Sequence, residues 1–280
     1  MTLDGQTAAI LGLGLIGGSM ARDLSALGVR VLGYDVDAAT LDAARSDGVS
    51  DERLDASLSK LDQATIVILA VPVSATHELL SAASRHLGGA RLIMDVGSTK
   101  RAALDAAASL GLSGQFVGSH PMAGDHRSGW SAARRGLFAG ATTYLCPTTS
   151  TSNEAMQLAR DLWTALGARL EVIDADAHDE RVAFTSHLPH VASAALALAL
   201  AHAKVKRDDL GPGGRDVLRI AASSPEMWTA IAVDNADSLL RAVSDLETQL
   251  QRFRAALAAS DDRALLALFD GARNWTGREA

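Results

Sequence analysis

The chain has 280 residues, 48% hydrophobic and 21% charged, with a net charge of -7. That length suggests two domains or one large one, and the composition is that of an ordinary globular chain. The acidic balance argues against a nucleic-acid partner, which calls for a basic face, and the single cysteine, Cys146, excludes a disulfide framework and a cysteine zinc cluster and fits a reducing, cytoplasmic setting.

The N-terminal stretch MTLDGQTAAILGLGLIGG lacks the basic start and unbroken apolar run of a secretory signal. Residues 7–11 read as a short buried strand. Gly12-Leu-Gly14-Leu15-Ile16-Gly17 then opens a helix to about residue 27, and residues 29–35 form a second strand that ends in Asp35. Strand, glycine turn, helix, strand and acid, in that order, form a dinucleotide fingerprint in its full context. Gly12 permits the tight turn and Gly14 lets the backbone approach a pyrophosphate. Gly17 allows helix and strand to pack closely, and the helix N-terminus offers N–H groups to the phosphates. Asp35 can accept hydrogen bonds from a ribose 2′-hydroxyl. With Asp37 beside it and Arg45 the only nearby cation, it favours NAD over NADP.

The alternation continues. Residues 64–71 are a continuous apolar run, as in a strand buried on both faces, closed by Pro72. A helix over 75–86, a strand over 91–96, a helix and a strand over 115–118 follow. The last runs into the motif GSHPMAG at 118–124, read as a stiff, tightly turned loop. A strand at 142–146, a helix at 153–166 and a strand at 169–173 complete the pattern. Alternating elements predict a doubly wound parallel sheet of the Rossmann type over residues 1–174. Right-handed crossovers place the strand C-terminal ends on one edge. The segments after them, including Val71, Pro72, Gly97 and Ser98, are therefore expected to meet at one crevice with the glycine turn and His120.

From residue 175 the strands stop. Residues 184–202 are apolar on most faces, as in a helix buried in a core or between subunits. The apolar run at 191–201 is too short to span a bilayer. Residues 231–257 carry a helical stripe of Leu239, Leu240, Val243, Leu246, Leu250, Phe253 and Leu257, and 264–269 form a short last helix. An all-helical unit of this size is marginal alone, so residues 175–280 are read as a substrate and homodimerisation domain. An ordinary intrachain core accounts for the same stripe.

Three stretches carry candidate chemistry. A neutral imidazole at His120 suits removal of a hydroxyl proton as hydride leaves carbon, and a loop histidine with structural bonds is the alternative. His187 and His190 are three apart. A metal would need a third ligand such as His178 or His202, and no metal-type spacing is present. Arg219 lies among apolar residues and calls for an anionic partner, either a substrate carboxylate or an internal Asp216 or Glu226. Arg215, nearer the loop, is expected to be exposed.

In this order, GLGLIGGS, GYD, AVP, DVGSTK, GSHPMAG, HLPH and RDVLRIA resemble the prephenate/arogenate dehydrogenases over about residues 7–260. The resemblance implies NAD-dependent oxidative decarboxylation of prephenate to 4-hydroxyphenylpyruvate in tyrosine biosynthesis, or of arogenate to tyrosine. It implies that His120 accepts the hydroxyl proton and that Ser98 orients the hydroxyl or the imidazole. His187, Arg219 and Arg215 then contact substrate, and Gly12, Gly14, Leu15, Ile16, Gly17, Asp35, Val71, Pro72 and Gly97 hold the cofactor. No metal and no membrane are implied. Asp125 would favour the arogenate ammonium and Arg127 the anionic prephenate. Leu218 stands where the family pattern has threonine, and Gly214 where an aromatic is common. The length leaves no room for a fused mutase domain, and no βαββαβ regulatory segment is expected after residue 269. A β-hydroxyacid dehydrogenase or a non-catalytic NAD sensor would share the glycine fingerprint. The first would want a lysine on a later helix, and the second would not need His120 or Arg219.

Overall fold

The computed structural model of the chain describes residues 3–124 and 127–277. Its apolar runs become β1 (Thr7–Leu11), β2 (Arg30–Tyr34), β3 (Glu52–Arg53), β4 (Ile66–Leu69), β5 (Leu92–Asp95), β6 (Phe116–Pro121), β7 (Thr142–Cys146) and β8 (Arg169–Val172). They form one sheet in the order β3-β2-β1-β4-β5-β6-β7-β8. Alternate residues of β4 face opposite ways. Ile66 and Ile68 join the core that contains Leu24 and Trp163, and Val67 and Leu69 join the core that contains Leu80 and Leu104. A strand sandwiched between two apolar layers must be apolar at every position, which is why the run is continuous.

The covering helices are α1 (Leu15–Ala26), α2 (Ala38–Ser46), α3 (Val73–Ala83), α4 (Arg101–Ser109) and α5 (Asn153–Ala165). The chain winds from β1 to β2 in one direction and crosses to β4 on the other side of β1. The order reverses there, so a crevice opens between the glycine turn after β1 and the segment after β4.

Two expectations need correction. The sheet is not wholly parallel: β7 runs antiparallel to β6, and β8 runs parallel to β7. The C-terminal ends of the last two strands therefore lie on the opposite edge. GSHPMAG is also not all loop. Its first four residues are strand, paired in register as Gly118 with Cys146, Ser119 with Leu145, His120 with Tyr144 and Pro121 with Thr143. Pro121 is the last strand residue, where a missing N–H costs the ladder little. His120 is thus held by a sheet rather than by a turn.

After β8 come α6 (Ala175–Val182), α7 (Leu188–His202), α8 (Pro212–Val217) and α9 (Pro225–Asp234). A π-helical turn over Ala183–His187 joins α6 to α7 in one helical run, Ala175–His202. Its 28 residues are long and apolar enough to cross a membrane by length and composition, which the 11-residue run did not suggest. It is not buried in an intrachain core, because Phe184, Leu196 and Leu198 are exposed.

By compactness the chain divides into one unit up to Asn235 and another from Ala236. The helix expected over 231–257 is accordingly two helices, with Ile231 in α9 and the whole stripe from Leu239 to Leu257 in α10 (Ala236–Ala258). The second unit is α10 and α11 (Asp262–Trp275), where Phe253 meets Phe269 edge to face at 5.3 Å. Leu240, Leu250, Leu257, Leu266 and Phe269 are exposed.

Candidate active site

On the nucleotide side, the glycine turn is shaped by contacts that only glycine admits. Gly12 has φ +99°, and a Cβ there would stand 2.4 Å from the Ala70 carbonyl oxygen. A Cβ on Gly17 would stand 1.9 Å from the Gly12 carbonyl oxygen. A Cβ on Gly14 would meet no protein atom within 4 Å, so the space above Gly14 is open. The first intrahelical bond of α1 runs from Gly18 N–H to Gly14 O, and no side chain caps the helix. The N–H groups of Leu15, Ile16 and Gly17 are left to an anion.

Asp35 adjoins this turn. Its Oδ2 accepts the Leu13 N–H at 2.8 Å and its Oδ1 accepts the Asp37 N–H at 2.9 Å. Each oxygen keeps acceptor capacity for ribose hydroxyls. Asp37 is not a second ribose ligand. It caps α2, accepting from the Ala39 and Thr40 N–H groups and the Thr40 hydroxyl. The Thr40 hydroxyl first, then the Ala39 N–H, holds its carboxyl below the usual range, so its charge persists beside Asp35. These groups fit a dinucleotide. Gly17→Ala is expected to cost roughly 1–3 kcal/mol or more of stability through overpacking. Gly14→Ala should keep the wild-type melting temperature and lose dinucleotide affinity. Parallel melting and binding measurements check the pair, and a matched loss of stability in both would count against the assignment.

The crevice segments meet as expected. Gly12 lies against Ala70 and Val71, Gly97 lies against Val73, and a Cβ on Gly124 would fall within 4 Å of Leu15 and Ile16. Pro72 starts α3 from an exposed position. Gly97 N–H donates to Asp95 Oδ2 at 2.9 Å.

On the chemical side, His120 is buried. Its Nδ1 lies 2.9 Å from His178 Nε2, and His178 Nδ1 lies 2.7 Å from Asp179 Oδ1. Burial first, then the charges of His178, Lys100 and His187, hold its pKa well below 6.5. The fully buried Lys100 pairs with Asp95 and donates to the Ser119 carbonyl at 2.7 Å, while Ser119 Oγ donates to the Asp95 carbonyl at 2.6 Å. The backbone just before His120 is therefore tied from both sides. Ser98 is half-buried in the β5–α4 connection and makes no hydrogen bond among the described residues. The partner of the imidazole is His178, not Ser98, which leaves the Ser98 hydroxyl available.

His187 is buried, and burial pushes its pKa down to about 4. The Asn235 amide Nδ2 lies 3.3 Å from its Nδ1, and its Nε2 is buried without a partner. A neutral ring that accepts at Nδ1 carries its proton on Nε2, which leaves a buried donor unmatched. Trp228 stands edge-on to His187 at 5.9 Å and stacks on His190 at 3.6 Å, and its indole N–H is also buried without a partner. His190 is a packed histidine, also bonded to the Ile220 backbone. Arg219 is close enough to lower its pKa. Arg219 itself is exposed and makes no hydrogen bond or ion pair among the described residues. Among the described residues no ion pair joins Arg219 to Asp216 or Glu226, and Glu226 accepts from Ser224 Oγ at 2.9 Å. Arg215 is exposed and, among the described residues, reaches only the Asp208 carbonyl, at 3.4 Å. Asp125 and His126 lie outside the described residues.

Nearly the whole chain is similar to known proteins. Residues 20–172 match the family model "Prephenate dehydrogenase, nucleotide-binding domain", and residues 174–271 match "Prephenate dehydrogenase, dimerization domain". The chain belongs to the prephenate dehydrogenase family. It is 35% identical to a prephenate dehydrogenase of Bacillus subtilis over 96% of this chain and 75% of that one. It is 33% identical to a cyclohexadienyl dehydrogenase of Zymomonas mobilis over 93% of this chain and 92% of that one. The crystal structure of an A. aeolicus prephenate dehydrogenase, in complex with hydroxyphenyl propionate and NAD+, superposes with a TM-score of 0.89 at 28% identity, covering 99% of each chain.

In this family member the sequence reading missed four residues that shape the site: Lys100, His178, Trp228 and Asn235. Lys100 ends the quoted motif DVGSTK, so a signal for it existed. His178 stands out in the sequence only as a possible metal ligand. Trp228 and Asn235 carry no motif, and only the packing of α9 brings them to His187.

Proposed function

We propose that this protein is an NAD-dependent prephenate dehydrogenase that forms 4-hydroxyphenylpyruvate in tyrosine biosynthesis, with His120 as its base. The observation that carries the reading is the His120 imidazole, buried at the sheet edge with Nδ1 2.9 Å from His178 Nε2 and Nε2 without a hydrogen bond among the described residues. Prephenate carries a ring carboxylate, a pyruvyl side chain and a hydroxyl opposite the carboxylate. NAD, when bound, supplies the hydride acceptor for the hydroxyl-bearing carbon. His120 Nε2 takes the hydroxyl proton as that carbon is oxidised, and Ser98 orients the hydroxyl. The ring carboxylate leaves as carbon dioxide, its electron pair makes the ring aromatic, and the proton returns to the ring oxygen. His187 Nε2–H and Arg219 meet the anionic groups of the substrate, with Arg215 at the rim. Leu15, Ile16 and Gly17 offer their N–H groups to the pyrophosphate, Gly14 leaves it room, and Asp35 takes the ribose. Gly12 shapes the turn, and Val71, Pro72 and Gly97 line the remaining wall of the crevice.

The low His120 pKa fixes the sign of the pH dependence. A base whose pKa is depressed stays neutral as pH falls, so kcat/KM is expected to hold through pH 6.5 and decline only below it. An acid limb centred at or above 6.5 would contradict this.

The apolar faces of Ala175–His202 and the exposed leucines of α10 and α11 support a homodimer, in keeping with the matched dimerization domain. We place the boundary between nucleotide and helical domains at 174/175, supported by the family-model ranges, and the enzyme in the cytoplasm, not in a membrane. The test of function is nicotinamide reduction with prephenate and arogenate, each with NAD and with NADP. Turnover of prephenate with NAD is the expected result. Turnover of arogenate alone would move the substrate assignment. Turnover of neither would overturn the proposal.

A further inference from the structure

An imidazole can act as a base at Nε2 only if its proton sits on Nδ1. In water the two neutral forms exchange freely, and a buried ring takes the form its neighbours dictate. For His120 the neighbour is His178, whose Nε2 lies 2.9 Å from His120 Nδ1. The two rings meet edge to face at 5.1 Å, and Tyr144, the register partner of His120, stands edge-on to His178 at 5.3 Å. His178 is fully buried, so nothing from solvent sets its state. That is done by the Asp179 carboxylate, 2.7 Å from His178 Nδ1.

Asp179 is itself held by the fold. Its Oδ1 accepts the Lys100 N–H at 2.8 Å and its Oδ2 accepts the Arg101 N–H at 3.1 Å, at the N-terminus of α4, where a carboxylate is favoured. Arg101 Nε adds a bond at 3.2 Å. Burial disfavours its charge, but the His178 bond and the backbone N–H groups outweigh this, and its pKa is lowered. An ionised Asp179 requires a proton on His178 Nδ1. Burial keeps His178 neutral, so its Nε2 carries a lone pair, and that lone pair requires a proton on His120 Nδ1.

We propose that His178, anchored by Asp179, is a positioning residue that locks His120 in the Nδ1–H tautomer and so makes Nε2 the base. The proposal rests on the reading of His120 as the base. The motif in β6 supplies the imidazole, while α6, beyond the last strand, supplies the two groups that decide which nitrogen works.

Three substitutions test it, with kcat and KM for prephenate, NAD affinity and melting temperature measured for each. Gln at 178 can place an amide oxygen where Nε2 stood and accept the His120 proton. Asn reaches Asp179 but not His120, and Leu reaches neither. The expected result is that His178→Asn and His178→Leu lower kcat by about 10²-fold, the lower end of what general-base catalysis contributes, with KM and NAD affinity kept. His178→Gln should recover most of the lost kcat. Should the leucine variant fail to fold, the Asn and Gln pair decides alone. Wild-type kcat in His178→Asn, equal losses in Asn and Gln, or a loss confined to KM each overturn the proposal. His120→Asn, run alongside, separates the two readings. Unchanged turnover there removes the base itself, whereas a large loss there beside unaffected His178 variants removes only the lock.

Discussion

His120→Asn is expected to lower kcat by roughly 10²–10⁴-fold, the range a positioned general base contributes. NAD affinity should stay at its wild-type value, because the glycine turn and Asp35 are assembled from β1, β2 and α1 without it. The fold should survive. The backbone at His120 is paired with Tyr144 in the β6–β7 ladder, and Lys100 and the Asp95 carbonyl secure the preceding residue, Ser119. An asparagine fits the space but offers no basic nitrogen. Steady-state kinetics with prephenate, together with NAD titration and thermal melting, check the result. A variant that turns over like the wild type would return His120 to the status of a structural histidine. The large effect follows from burial. A solvated histidine is readily replaced by water as proton acceptor, but a ring shielded from solvent at the sheet edge has no such substitute.

Arg219→Ala is expected to raise KM for prephenate and leave stability unchanged. A hydrogen bond to a charged group contributes about 1.5–3 kcal/mol, and each 1.4 kcal/mol is tenfold, so the rise should be about 10- to 100-fold. Two readings were open from the sequence, a substrate clamp and an internal salt bridge, and the structure separates them. Glu226 is engaged by Ser224, and Arg219 has no bond among the described residues, so its removal breaks nothing in the fold. A fall in melting temperature with an unchanged KM would be the signature of the salt bridge and would sink the clamp. Arg219→Lys should recover only part of the affinity, because an ammonium cannot reproduce the bidentate fork of a guanidinium.

Much of this protein is legible along the chain because its signals are local. The glycine spacing, the apolar run at 64–71 and the acid at Asp35 each depend on residues close in sequence. Secondary structure, cofactor class and the place of the crevice follow from such patterns. The motif GSHPMAG marks His120 for the same reason. Its strand character was hidden, because glycine and proline ordinarily disfavour strands. What overrides that preference is the register with β7, a partner that lies beyond a long connection. The reversed direction of β7 is equally a matter of pairing, and the short stretch TTYLC carries no signal of its direction. The break at Asn235 is hidden for a related reason. The apolar spacing continues across it, while the Asn235 side chain leaves the helical pattern to bond Asp179 and His187.

The sequence by itself determined the nucleotide fold and the glycine turn and marked Asp35 and His120 as the candidate ribose acid and base, since each is written in residue type and short spacing. Only the tertiary structure decided which ring lies against His120, which cation has no partner among the described residues and which buried donors are left unmatched. Those properties belong to pairs such as His120 with His178, 58 residues apart, and Asn235 with His187, 48 apart. Protonation and pairing are set by neighbours in space, through burial and hydrogen-bond geometry, and no periodicity in the chain records them.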